Sequence, residues 1–201
     1  PQRPLPGDAA IELEEELRAN LNHASERAKE VGSTIVAIGL LPTIMPEHYE
    51  GDWISDSNRY AALQDSVLGA RGEDIELDIE GPTGEHLATY CDTLAPESAC
   101  TSVQLHLQVA PLEFADHWNA AQALAAPQLA LAANSPYFFG KRLHAESRIE
   151  VFHQACDTRP VELKNQGVRP RVWFGERWVT SIFDLFEENV RYYPTLLAET
   201  T

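Results

Sequence analysis

Two patterns of apolar residues in the first third of the chain predict helices. In the first, apolar positions recur every three or four residues between Asp8, a favoured N-cap type, and the stop signal Gly32. Its predicted buried stripe is Leu13, Leu17, Leu21, Ala24, Ala28 and Val31. A second helix is predicted between Ser57 and Gly72. Its predicted inward positions are Tyr60, Leu63, Val67 and Ala70.

Three further stretches have the composition or the alternation of β-strands. Residues 33–41 are rich in β-branched residues and almost wholly apolar, which is typical of a central strand. Residues 74–91 alternate apolar with acidic positions around a Gly-Pro-Thr-Gly turn and predict a β-hairpin. Residues 101–110 alternate again. Their two faces are Val103, Leu105, Leu107 and Val109 on one side and Ser102, Gln104, His106 and Gln108 on the other.

The second half of the chain predicts two more helices. Pro111 is typical of the first position of a helix, and Pro127 is expected to kink or break that helix before it resumes. Residues 169–175 are expected to form a strand or a loop, and Ser181 opens a final helix. Together these elements predict an α+β fold, with residues 1–201 in one domain.

Four acidic residues lie on one face of the predicted hairpin, and two interpretations are open. They are Asp74, Glu76, Asp78 and Glu80. Four carboxylates on one strand face could bind a divalent cation. Simple alternation also places them on the solvent side of a half-buried strand, and this is the preferred interpretation.

The charge balance restricts the classes of partner. The chain has 15 Lys and Arg against 31 Asp and Glu, a formal net charge of -16. Such a surface repels phosphate backbones, which argues against nucleic acid but not against ATP bound with metal ions. No apolar run approaches the roughly 20 residues of a membrane-spanning helix. The three scattered cysteines are typical of reduced thiols in a cytoplasmic protein.

The polar face of residues 101–110 is a candidate floor of a cleft. Gln104 and His106 on this face can hold a metal ion or a substrate without adding negative charge. A solvent-facing strand that carries a histidine by chance would show the same alternation.

The residues that follow the alanine-rich helix add anion-binding chemistry. Asn134 and Ser135 come at the end of that helix, before a loop that contains Gly140, and offer polar donors to a carboxylate or phosphate. Arg148 follows shortly after and offers a planar fork for bidentate recognition of a carboxylate.

Taken in order, these motifs resemble the glutamate–cysteine ligase family. The segments that carry the resemblance are TSVQLHLQ at 101–108, LAANSP at 131–136, Gly140 and Arg148. Asn58-Arg59-Tyr60 followed by Leu63 is also similar. The likeness covers roughly residues 13–193 and is greatest to the branch that contains the plant-type enzymes and the bacterial carboxylate–amine ligases.

The resemblance implies a fold and a reaction. The fold is that of glutamine synthetase, in which an antiparallel sheet packed with helices forms a funnel-shaped active site, and this chain would supply part of the sheet. The reaction is ATP-dependent: the γ-carboxylate of glutamate is phosphorylated, and the amine of cysteine or another acceptor then displaces phosphate. ATP and Mg²⁺ are the implied cofactors.

The resemblance also implies roles for single residues. Gln104 and His106 would line the metal–nucleotide floor. Family members with a His-x-His strand have imidazole where this chain has Gln104, so the metal ligand here would be His106.

On the substrate side, the resemblance assigns a turn and two arginines. Asn134 and Ser135 would shape the substrate turn. Arg148 would be the catalytic residue that binds a substrate carboxylate or phosphate, and Arg142 is a second candidate for that role.

The chain departs from the family pattern in its metal-binding carboxylates. Family members carry a Glu-x-Glu strand before the matching region and a further acidic and basic half after it. We therefore expect the chain to be the central part of a larger catalytic domain, inactive by itself. A non-catalytic amino-acid- or partner-binding protein on the same scaffold is the alternative. A homo-oligomer that completes the funnel is a third possibility.

Overall fold

The structure is a computed structural model that describes residues 5–50 and 57–193. The chain divides into two compact units, which are Pro1–Ala37 with Gln104–Gln108, and Ile38–Val103 with Val109–Thr201. The single domain over residues 1–201 stays a prediction.

The first unit contains the helix α1, Ala10–Glu30, which confirms the first predicted helix. Its N-cap is Ala9 rather than Asp8, and no side chain caps it. Gly32 ends the helix with a φ of 71°, and the amide of Ser33 donates to the carbonyl of Ala28 at 2.8 Å. Of the predicted buried stripe, Ala28 is buried, and Leu13 and Ala24 are half-buried. The prediction is wrong for Leu17, Leu21 and Val31, which are exposed.

The first unit also contains residues 33–37 and 104–108, which form no strand. The strands predicted at 33–41 and 101–110 are therefore wrong as ladder elements. A strand needs a hydrogen-bonded neighbour, and alternation in the sequence supplies none. The apolar face of residues 101–110 is uncovered accordingly, with Val103 80% and Leu107 78% exposed.

The second unit begins with the 3₁₀ helix Pro46–Tyr49 and the helix α2, Asn58–Arg71. α2 confirms the predicted helix, and Gly72 ends it in the left-handed conformation with φ 74°. Val67 is buried as predicted, whereas Tyr60 is largely exposed and Arg71 is buried instead.

A β-hairpin forms the centre of the second unit and confirms the prediction. Its strands β1, Ile75–Glu80, and β2, His86–Cys91, are antiparallel, in a register from Ile75↔Cys91 to Glu80↔His86. Gly84 takes a φ of 84° in the turn, which a side chain would disfavour. The inward side chains of β1 pack in the core with residues from before and after the hairpin. These core residues are Ile75, Leu77, Ile79, Leu40, Phe138 and Val151.

Helices and a second small hairpin complete the unit. The helices are α3, Ala95–Ser98, α4, Phe114–Ala132, α5, Arg148–Ala155, α6, Val161–Asn165, and α7, Phe183–Tyr192. The second hairpin pairs β3, Tyr137–Phe138, with β4, Lys141–Arg142. α4 starts three residues after Pro111 and continues past Pro127, so a break at that proline is wrong.

The α+β class is confirmed, since the described residues combine helices with two antiparallel two-stranded sheets and no closed barrel. α5 and α6 were not predicted. In the described ranges, no helix combines the length and the apolar character needed to cross a membrane.

Candidate functional site

The structure brings three of the predicted site residues together. Asn134, Ser135 and Arg148 meet where the chain leaves α4 and enters α5. Arg142 lies in β4. Gln104 and His106 belong to the segment 104–108 of the other compact unit.

Backbone geometry explains why the three residues meet. α4 ends at Ala133, whose ψ of 121° turns the chain out of the helix. Ser135 then forms a parallel bridge with Glu146. In that bridge its amide donates to Ala145 at 3.1 Å and its carbonyl accepts from Ser147 at 3.0 Å. The segment before α5 is thus fastened against the end of α4.

The guanidinium of Arg148 is surrounded by acceptors. Its Nε and Nη2 donate to the two carboxylate oxygens of Glu146, at 2.5 and 2.9 Å. Nη2 also faces the side-chain oxygen of Asn134 at 3.5 Å, and Nη1 donates to the carbonyl of Thr101. The side chain remains 25% exposed. Arg148 therefore links three segments of the unit and keeps an open edge.

Glu146 is the residue that sequence reasoning missed. It is buried, and besides Arg148 it accepts a hydrogen bond from the hydroxyl of Ser135 and one from the amide of Asn134 at 3.2 Å. The hydrogen bonds from Arg148 hold the pKa of the Glu146 carboxyl below its usual range, even though burial opposes this. The pair is therefore ionised at neutral pH. A glutamate in a chain with 31 acidic residues gives no sequence signal of its own.

Gly39 was missed as well. A Cβ at this position would lie 2.5 Å from Nε of Arg148 and 2.8 Å from the side-chain oxygen of Asn134. A side chain at this position would therefore force the side chains of Arg148 and Asn134 to shift. The carbonyl of Gly39 accepts from the amide of Thr101 at 3.0 Å. The nearest sequence signal is the single glycine within an otherwise apolar stretch.

Ser135 is fully buried, and both of its hydroxyl roles are used. The hydroxyl donates to Glu146, and its oxygen accepts from the amide of Arg148 at 3.3 Å. Asn134 is exposed. The turn therefore presents Asn134 outward, while Ser135 fastens it from inside.

A thiol lies beside the arginine. The sulfur of Cys100 is 3.9 Å from the carbonyl oxygen of Arg148 and 3.4 Å from that of Pro96. Burial raises the pKa of this thiol to about 12. Cys100 is thus a protonated packing residue at neutral pH and no nucleophile.

Arg142 has different surroundings. Its side chain is exposed, and its backbone amide donates to the carboxylate of Glu85 at 3.2 Å. The preceding turn places both Phe139 and Gly140 at positive φ, 46° and 71°. In the described part of the chain Arg142 forms no ion pair, which leaves its charge open to solvent.

The described residues do not fit a magnesium ion by themselves. His106 is exposed, and no group of three or more His, Cys, Asp or Glu that could hold a metal occurs at 5–50 or 57–193. On the hairpin, Asp78 is paired with His86 at 2.6 Å, and Glu76 accepts from the hydroxyl of Tyr90 at 3.1 Å. The outward acidic face of β1 is the solvent-side arrangement that alternation predicts.

The second unit thus places an arginine and a polar turn next to each other. A family model for glutamate-cysteine ligase family 2 (GCS2) matches residues 3–174, and the chain belongs to this family. The match takes in both hairpins, residues 101–108, the Asn134–Ser135 turn and Arg148, and it confirms the resemblance. A search of curated proteins and a search of solved structures each found no match.

Proposed function

We propose that the protein is an ATP-dependent carboxylate–amine ligase of glutamate–cysteine ligase type. It forms a γ-glutamyl amide from glutamate and cysteine, or another amine, through an acyl phosphate. The observation that carries the proposal is the family match over residues 3–174. The match includes the cluster of Asn134, Ser135, Glu146 and Arg148, which we call the arginine junction. ATP and Mg²⁺ are the cofactors that membership of the family suggests, and ATP supplies the phosphoryl group.

We propose substrate roles for the residues of the arginine junction. Arg148 and Asn134 are the exposed members of that junction and offer N–H donors, which suit a substrate carboxylate. Ser135 contributes by fixing the turn. Arg142, exposed on β4, is the second candidate for an anionic group. The roles of Gln104 and His106 on the nucleotide side rest on the resemblance alone.

The test is turnover by the product of the intact open reading frame. With ATP, Mg²⁺, glutamate and cysteine, ADP release that needs both amino acids supports the proposal. Calorimetry on the same protein measures binding of each amino acid. Amino-acid binding without ADP release would replace the ligase with the non-catalytic alternative.

We also propose that a polypeptide of residues 1–201 does not catalyse the ligation by itself. The support is the engagement of the hairpin carboxylates Asp78 and Glu76 with His86 and Tyr90, which leaves a multi-metal phosphoryl transfer without an obvious ligand set. ADP release from the purified 201-residue polypeptide that depends on glutamate and cysteine would refute this.

A further inference from the structure

Glu146 neutralises the positive charge of Arg148, the residue that was predicted from the sequence to bind an anion. Its two oxygens receive Nε and Nη2 of Arg148 in a bidentate pair, with the Glu146 side chain only 8% exposed. A carboxylate and a guanidinium in this arrangement carry no net charge together. The pair can therefore recognise a ligand by the direction of its remaining N–H donors, and not by excess positive charge.

The carboxylate also fixes which donors remain. A guanidinium has five N–H bonds. Four of them are used, two by Glu146, one by Thr101 and one by Asn134. The fifth, on Nη1, has no acceptor among the residues that the structure describes.

Arg148 in turn fixes the orientation of the Asn134 side-chain amide. Arginine has only donors, so the end of the Asn134 amide that faces Nη2 must be the oxygen. The Nδ2 group with its two N–H bonds is then on the other end of the amide. It has no acceptor in the described residues, and Asn134 is exposed. Two sets of free N–H donors, on Nη1 and on Nδ2, are therefore set by one buried carboxylate.

We propose that Glu146 is a positioning residue which orients Arg148 and Asn134 to recognise the carboxylate of an amino-acid substrate rather than a phosphate. The inference rests on the proposed ligase function. A carboxylate is a planar monoanion that takes two parallel N–H donors. A phosphate carries more charge, and Glu146 removes the excess positive charge with which Arg148 would otherwise attract it.

Asp157 offers a matched control. Like Glu146 it is a buried carboxylate in a bidentate pair with an arginine, at 2.9 and 2.8 Å from Nε and Nη2 of Arg159. Its side chain is 5% exposed. Asp157 is not hydrogen-bonded to Asn134 or Arg148. Replacing it therefore imposes a similar structural cost without touching the junction.

The experiment compares Glu146→Gln with Asp157→Asn in the intact gene product. Glu146→Gln is expected to raise the KM for glutamate by about 10- to 100-fold, the range for loss of a hydrogen bond to a charged group. The KM for ATP is expected to stay within about threefold, as is kcat at saturating glutamate. Asp157→Asn is expected to lower the melting temperature but leave the KM for glutamate within about twofold.

Asn134→Asp is a second variant that serves if Glu146→Gln does not fold. Asn134 is exposed, so its replacement is not expected to disturb the fold. It exchanges the Nδ2 donors for a second oxygen and is expected to raise the KM for glutamate with the melting temperature unchanged. An unchanged KM for glutamate in Glu146→Gln, or an equal rise in Asp157→Asn, would overturn the inference. A rise in the KM for ATP instead would assign the junction to phosphate. A wild-type protein without glutamate-dependent turnover would refute the ligase function itself, and this inference with it.

Discussion

At the level of single residues, Gly39 is the position where the arginine junction is packed most closely. A Cβ there would lie 2.7 Å from Cζ of Arg148. Gly69, an exposed glycine in α2, has nothing within 4 Å of the same built atom. The two glycines therefore form a matched pair for substitution by alanine.

Gly39→Ala is expected to lower the free energy of unfolding by about 1–3 kcal/mol, since Arg148 must give way to the added methyl group. Gly69→Ala is expected to raise it by about 0.5–1 kcal/mol, because alanine is the better helix former. Urea denaturation of both variants measures the difference. A neutral Gly39→Ala would show that the guanidinium is not held where the structure places it.

The buried thiols make the fold sensitive to alkaline pH. Burial raises the pKa of Cys100 to about 12 and that of Cys91 to about 11. An unfolded cysteine titrates near about 8.5. The folded protein thus keeps protons that the unfolded chain releases. Their contribution to stability is fully present below about pH 8.5 and is lost as the pH rises towards the folded-state pKa values.

The melting temperature is therefore expected to decline between about pH 8.5 and 10. Cys100→Ala, which removes one of these thiols, is expected to decline less steeply over the same range, whatever its starting stability. Thermal scans at half-unit pH steps give both slopes. Parallel slopes for the two proteins would contradict the burial of this thiol.

At the level of elements, the hairpin β1–β2 organises the second unit. Leu77 on its inner face is fully buried, and Glu80 on its outer face is exposed. Leu77→Ala is expected to cost about 2–5 kcal/mol of unfolding free energy, as deletion of a buried side chain does. Glu80→Ala is expected to change it by less than about 0.5 kcal/mol. Chemical denaturation decides, and similar values for the two variants would rule out this orientation of the strand.

The same elements show what the sequence could predict. The hairpin and α2 are marked by local signals, the turn at Gly84 and the left-handed Gly72, and both were predicted. Residues 33–41 and 101–110 have the composition of strands but do not pair in a ladder. Strand pairing depends on a neighbouring segment, and a local sequence pattern does not identify that segment. The residues just before α5 are held by the bridge between Ser135 and Glu146, and no local pattern in the sequence shows such a bridge. The start of α5 at Arg148 was therefore not predicted.

For the site, motif reasoning found Asn134, Ser135 and Arg148, which the structure brings together. It could not find Glu146 or Gly39, whose importance comes from contacts made across the fold. Gly39, for example, lies more than a hundred residues before Arg148 in the chain. Close approaches of this kind become visible only when the segments are packed.

At the level of the whole molecule, the net charge is -16, and a ligase of the proposed type would have to bind anionic substrates in spite of it. Two of the least exposed cations, Arg148 and Arg159, are each neutralised by a buried carboxylate. If the proposed function is right, directional N–H donors and bound metal ions would be the means of holding glutamate and a nucleotide.

We propose that the protein activates the γ-carboxylate of glutamate by phosphorylation. Glutamate labelled with ¹⁸O in its γ-carboxylate, incubated with the intact gene product, ATP, Mg²⁺ and cysteine, tests it most directly. An acyl phosphate passes one γ-carboxylate oxygen to the phosphate that is released. We expect one ¹⁸O atom in each inorganic phosphate formed. Turnover that releases unlabelled phosphate, or no glutamate-dependent turnover, would contradict it.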